Sequence, residues 1–94
     1  MAASGTTTIN FGAVGSINHN PTVAITGQTS ILSGSLVEAW IWPVATSDHT
    51  VDEHTYDVIK VTARDVVAGT GFTIFGECLQ GIAYGSYTVA WAWA

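Results

Sequence analysis

The sequence predicts an all-β protein, a single small β-sandwich or barrel of about six antiparallel strands spanning residues 1–94. Three observations predict it. Val, Ile, Thr and aromatic residues are frequent, and these fit a pleated half-buried surface. Gly recurs at short intervals, punctuating segments of strand length. No stretch sustains a helical apolar period over a dozen residues, and the good helix formers do not cluster. At 94 residues the chain has room for one core and not for two. Scaling of area with mass gives a folded surface of about 5,200 Å² against about 14,000 Å² unfolded.

The first strand is expected over about Thr6–Phe11, with Thr7, Ile9 and Phe11 alternating with Thr6, Thr8 and Asn10. Gly12–Asn20 reads as a loop. Pro21 opens a second strand over Thr22–Thr26, followed by a turn at Gly27-Gln28. Ser30–Ser35 reads as a loop or a short edge strand. The third strand, Leu36–Trp42, divides into Val37, Ala39 and Ile41 on one face and Leu36, Glu38, Trp40 and Trp42 on the other. It stops at Pro43, which lacks the N–H that a central ladder needs.

Thr46–Thr55 is the longest loop. The fourth strand, Tyr56–Arg64, places Asp57, Ile59, Val61 and Ala63 on one side and Tyr56, Val58, Lys60, Thr62 and Arg64 on the other. Gly69-Thr70-Gly71 marks a turn. The fifth strand, Phe72–Leu79, contains Gly76, a candidate bulge. After a turn at Gly81–Gly85, the sixth strand, Ser86–Trp93, alternates Tyr87, Val89, Trp91 and Trp93 with Thr88, Ala90 and Ala92.

Composition narrows the function. Charged residues make up 10% of the chain, where about 25% is typical. The surface is therefore either polar and uncharged or covered by other protein. With a net charge of −5 and only Lys60 and Arg64 as cations, the chain lacks the clustered base that binds nucleic acid or an anionic membrane. Cys78 is the lone cysteine, so no intrachain disulfide forms. The first residues have neither a basic nor an apolar segment of the secretory kind, which predicts synthesis in a cytoplasm. No apolar run reaches the length of a membrane-spanning helix. The final strand is so apolar that it needs partners on its faces.

Candidate chemistry is sparse. His49, Asp52, Glu53 and His54, beside Asp48, offer mixed nitrogen and oxygen ligands for a metal. Their spacing matches no helical zinc signature, and the glycine-centred loop of an EF-hand is missing. The alternatives are a solvated loop or a pH-sensitive contact between subunits. Cys78 lies in an apolar strand, as an inert buried thiol does. Glu38 and Glu77 are single carboxylates in separate strands. Gly69-Thr70-Gly71 lacks the lysine of a phosphate loop. No catalytic residue and no cofactor are expected. Trp40, Trp42, Trp91 and Trp93, with Tyr87, form stripes that can fill a core, anchor an interface or stack on sugars.

Several segments carry a resemblance. They are Gly5-Thr6-Thr7-Thr8-Ile9-Asn10-Phe11-Gly12, Val37-Glu38-Ala39-Trp40-Ile41, Asp48-His49-Thr50 with Glu53-His54, Gly69-Thr70-Gly71-Phe72-Thr73-Ile74 and Tyr87-Thr88-Val89-Ala90-Trp91-Ala92-Trp93-Ala94. Together they cover most of the chain and look like small structural proteins of tailed bacteriophages and prophages. The resemblance implies a virion component, either a capsid decoration (cement) protein or a fibre or tail part. The implied partners are further copies of the chain and a major capsid or other virion protein. The implied location is the virion, after synthesis in the bacterial host cytoplasm. It carries over no functional residue.

Overall fold

A computed structural model describes residues 2–13, 16–17, 19–47, 49–50, 59–79 and 83–94. The strands are β1 (Ala3–Asn10), β2 (Gly12–Ala13), β3 (Ser16–Ile17), β4 (Thr22–Ile25), β5 (Val37–Ile41), β6 (Ile59–Val67), β7 (Gly71–Cys78) and β8 (Ser86–Trp93). Two three-stranded antiparallel sheets, ordered β1-β8-β5 and β4-β7-β6, enclose one core in a sandwich-like all-β fold. The edge strand β5 runs alongside β6, and β1 touches β4, so the two layers nearly close around the core. The surface area, 5407 Å², matches the value expected from mass.

Strands stand at all six expected places, the fourth seen from Ile59 and running on to Val67 because Tyr56, Asp57 and Val58 lie outside the described residues, and β2 and β3 add a small hairpin within the segment read as a loop. In β1, β5, β6 and β8 the alternation sorts side chains as the sequence implies. Ile9, Phe11, Tyr87 and Val89 are buried, while Val37, Ala39, Ile41, Ile59, Val61 and Ala63 pack against the cluster from its rim. Fully burying a side chain of this size contributes about 1.5–3 kcal/mol. Ser30–Ser35 is a loop whose Ile31 is buried, and it is tied to the β6–β7 turn by the bond from Gly69 N–H to the Ile31 carbonyl, 2.9 Å.

The bulge lies elsewhere than expected. Gly76 sits in regular register opposite Val61, whereas the ladder shifts between Arg64 and Val67. Two residues of β6 there, Asp65 and Val66, face one of β7, Phe72, with Asp65 in the left-handed region at φ 59°. Asp tolerates that conformation better than most residues. The extra residue restores the inward phase, so Val66 rather than Asp65 packs against the core. Gly76 answers a different need: an added Cβ would stand 2.7 Å from Ile9 Cδ1. The β6–β7 turn is closed by Thr70 N–H to the Val67 carbonyl, 3.0 Å, with Gly69 at φ 74° supplying the positive φ of a type II turn.

The last strand is not an exposed hazard. β8 is the central strand of its sheet, paired to β1 and to β5 on its two sides. The ladder continues to the end of the chain through reciprocal bonds between Leu36 and Ala94, 3.0 and 2.9 Å. The apolar character of β8 is thus satisfied within the chain, and it gives no reason to invoke a partner.

Candidate interaction surface

The two tryptophan pairs have opposite fates. Tyr87, Trp91 and Trp93, expected at an interface, lie in the core at 1%, 8% and 5% exposure. Trp91 meets the Phe72 ring edge-on at a centroid distance of 5.7 Å, and Trp93 Nε1–H donates to Gln28 Oε1 at 2.9 Å. Room for the indoles comes from their register partners. Trp91 stands between Gly5 and Ala39, and Trp93 between Ala3 and Val37.

Trp40 and Trp42 face outward at 39% and 45% exposure. Trp42 extends the β5 ladder by donating its backbone N–H to the Thr88 carbonyl at 3.0 Å. Thr88 Oγ1–H donates to the Val44 carbonyl at 2.8 Å, which fixes the chain beyond Pro43. Leu36 and Val44 are also exposed, and the neighbouring positions on that side of β8 are half-buried Thr88 and Ala92 with Ala90 between them, buried beside its register partner Trp40. The outward side of β5 is therefore a row of Leu36, Glu38, Trp40, Trp42 and Val44 beside a low shelf of small residues. A row of large exposed apolar groups beside a low surface is what a protein partner covers.

His49 is neither a solvated loop residue nor part of a metal cluster among the described residues. It is 5% exposed and stacks on Tyr87 at a centroid distance of 4.1 Å and an interplanar angle of 17°. Its Nε2 is hydrogen-bonded to the Tyr84 carbonyl, and a carbonyl only accepts, so Nε2 carries the proton. Its backbone N–H donates to Thr46 Oγ1 at 3.1 Å, Thr46 N–H donates back to the His49 carbonyl at 2.9 Å, and Thr46 Oγ1–H donates to the Ser86 carbonyl at 2.7 Å. These bonds pin Thr46 and His49 onto the start of β8 and the residues just before it. Asp52, Glu53 and His54, with Asp48, lie outside the described residues.

Other candidates do not assemble into a reactive centre. Glu38 and Glu77 are exposed on the outward sides of different sheets, so they form no carboxylate pair. Cys78 is half-buried against the core.

The opposite sheet bears the strand side that the sequence groups as Lys60, Thr62 and Arg64. Lys60, Thr62 and Arg64 project outward from β6, and Phe75 and Glu77 from β7. With Asn20 and Thr22 they line a shallow groove of ≈ 510 Å³. The Arg64 guanidinium lies 4.0 Å from the centre of the Phe75 ring. The signal was available, because residues 60, 62 and 64 share one strand face by the period of two.

No family model, curated protein or solved structure matches the chain.

Proposed function

We propose that the chain is a non-enzymatic structural protein of a bacteriophage particle, a capsid decoration or cement subunit that assembles through the outward side of β5. The observation that carries this reading is the exposed row Leu36, Trp40, Trp42 and Val44 on a chain with few charges. The phage setting rests on the resemblance of the segments around Val37–Ile41, Gly69–Ile74 and Tyr87–Ala94. The partners are further copies of the chain and a major capsid or other virion protein, and the location is the virion after synthesis in the host cytoplasm.

Exposures of 39% and 45% on rings of up to about 250 Å² leave about 200 Å² of indole surface for a partner. At about 25 cal/mol/Å² its burial is worth at most about 5 kcal/mol. Costs of association reduce that figure. Each Trp should therefore act as an anchor worth about 2 kcal/mol, or about thirtyfold in Kd. The test is light scattering of wild-type, Trp40→Thr and Trp42→Thr protein, together with microscopy of purified particles. The expectation is a wild-type oligomer or particle-bound copies, weakened by either change. A monodisperse wild-type monomer that is absent from particles would refute the proposal.

One observation favours a second reading, a carbohydrate- or receptor-binding module of a fibre or tail. Trp40 and Trp42 present two indoles on one strand face, about 6.6 Å apart along the chain, as a platform for stacking on sugar rings would. That reading expects Trp42→Ala to abolish binding on a glycan array while leaving the oligomer intact.

A further inference from the structure

The strand β6 bears both cations of a chain whose net charge is −5, and the fold turns them to the same side. Lys60 and Arg64 are four residues apart on one strand, which separates them by about 13 Å. Between them Thr62 faces outward, and its register partner Phe75 forms the floor of the groove. Among the described residues neither cation makes an ion pair, although Glu77 is the register partner of Lys60. Arg64 is instead held across Phe75. That contact keeps the planar guanidinium in place while leaving its N–H edges for a carboxylate.

We infer that the outward groove of β4-β7-β6 binds an acidic, extended segment of a partner protein. The geometry selects the occupant. The groove is shallow and open rather than enclosed, which suits a polypeptide lying across a sheet face better than a small ligand that must be surrounded. In an extended strand, side chains two and four residues apart point the same way at about 6.6 and 13 Å. A segment with carboxylates at i and i+4 would therefore meet Lys60 and Arg64 together. An apolar or small residue at i+2 would lie over Thr62 and Phe75, and Glu77 would disfavour a third carboxylate at the Lys60 end. This groove and the β5 row are on different sheets, so the inference does not rest on the proposed assembly role.

The test is fluorescence anisotropy with a labelled (Glu-Thr-Ala-Thr)3 peptide, which places carboxylates at i and i+4 with Ala between them on one face, and with (Gln-Thr-Ala-Thr)3, (Lys-Thr-Ala-Thr)3, free glutarate and single-stranded oligothymidine as comparison probes. Wild-type protein should bind (Glu-Thr-Ala-Thr)3 with an affinity that falls as salt rises. Lys60→Gln and Arg64→Gln should each weaken it about tenfold, the loss of one charge-assisted contact. Thr62→Glu, which places a carboxylate between the two cations, should abolish it. Trp40→Thr should leave it unchanged, which separates this groove from the β5 surface. All four positions are solvent-exposed, and unchanged circular-dichroism spectra would show that the variants fold. The inference is overturned if (Glu-Thr-Ala-Thr)3 does not bind, or if binding survives Thr62→Glu. It is equally overturned if glutarate displaces the peptide at the peptide's own concentration, or if oligothymidine binds more tightly.

Discussion

Replacing His49 with Phe tests whether that residue is a fastener of the fold or a metal ligand. The Phe ring can keep the stack on Tyr87, which sits at 4.1 Å and 17° in the native protein. It cannot donate to the Tyr84 carbonyl, as Nε2 does. Losing a hydrogen bond costs about 1 kcal/mol, and stranding its buried acceptor raises the cost to about 1–3 kcal/mol. His49→Ala also forfeits the ring contact, worth about 0.5–1.5 kcal/mol, and opens a cavity. Its total should reach about 3–5 kcal/mol. In a domain of this size each kcal/mol lowers the midpoint by about 4–8 °C. His49→Phe should therefore melt about 5–20 °C below wild type, and His49→Ala lower still. Circular dichroism gives both readouts. The near-ultraviolet signal of Tyr87 should survive in the Phe variant and fade in the Ala variant. EDTA should not move the wild-type midpoint. The reasoning fails if His49→Phe is as stable as wild type, or if EDTA lowers the wild-type melt as far as His49→Ala does.

Two further outcomes follow from backbone packing. At Gly71 an added Cβ would stand 1.8 Å from the Ile25 backbone oxygen, so Gly71→Ala must part β4 from β7 and should cost at least about 3 kcal/mol in urea denaturation. The turn glycine makes the contrast: Gly69→Ala meets nothing within 4 Å and should cost only the left-handed conformation, about 1–2 kcal/mol. Equal losses at the two positions would refute the packing argument. At Gly5 an added Cβ would lie 2.6 Å from Trp91 Cζ2, so Gly5→Ala should push the indole off β1, cost about 1–3 kcal/mol and red-shift the tryptophan emission. An unchanged spectrum and midpoint would show that the ring has room to spare.

The sequence by itself determined the all-β class and, through the period of two, which residues share a strand face. It separated Val37, Ala39 and Ile41 from Leu36, Glu38, Trp40 and Trp42, and it grouped Lys60 with Thr62 and Arg64. It did not determine which apolar face of β5 turns inward, because both faces carry large groups. Tertiary structure decided that through pairing with β8. Trp91 and Trp93 fill the interior, so their neighbours must be small, and Ala39 and Val37 meet that requirement where Trp40 and Leu36 would not. The same pairing made β8 a central strand and removed the reason to expect partners on it. His49 was illegible for a related reason. Its loop is polar in sequence, and only the approach of Tyr84 and Tyr87, more than thirty positions away, gives the imidazole a stack and an acceptor. The bulge at Asp65 was hidden because an extra residue shifts the phase of alternation, and the pattern alone cannot say where the strand resumes. Local sequence fixes the period, but long-range pairing decides which side of each strand is covered, and so which tryptophans remain free to meet another molecule.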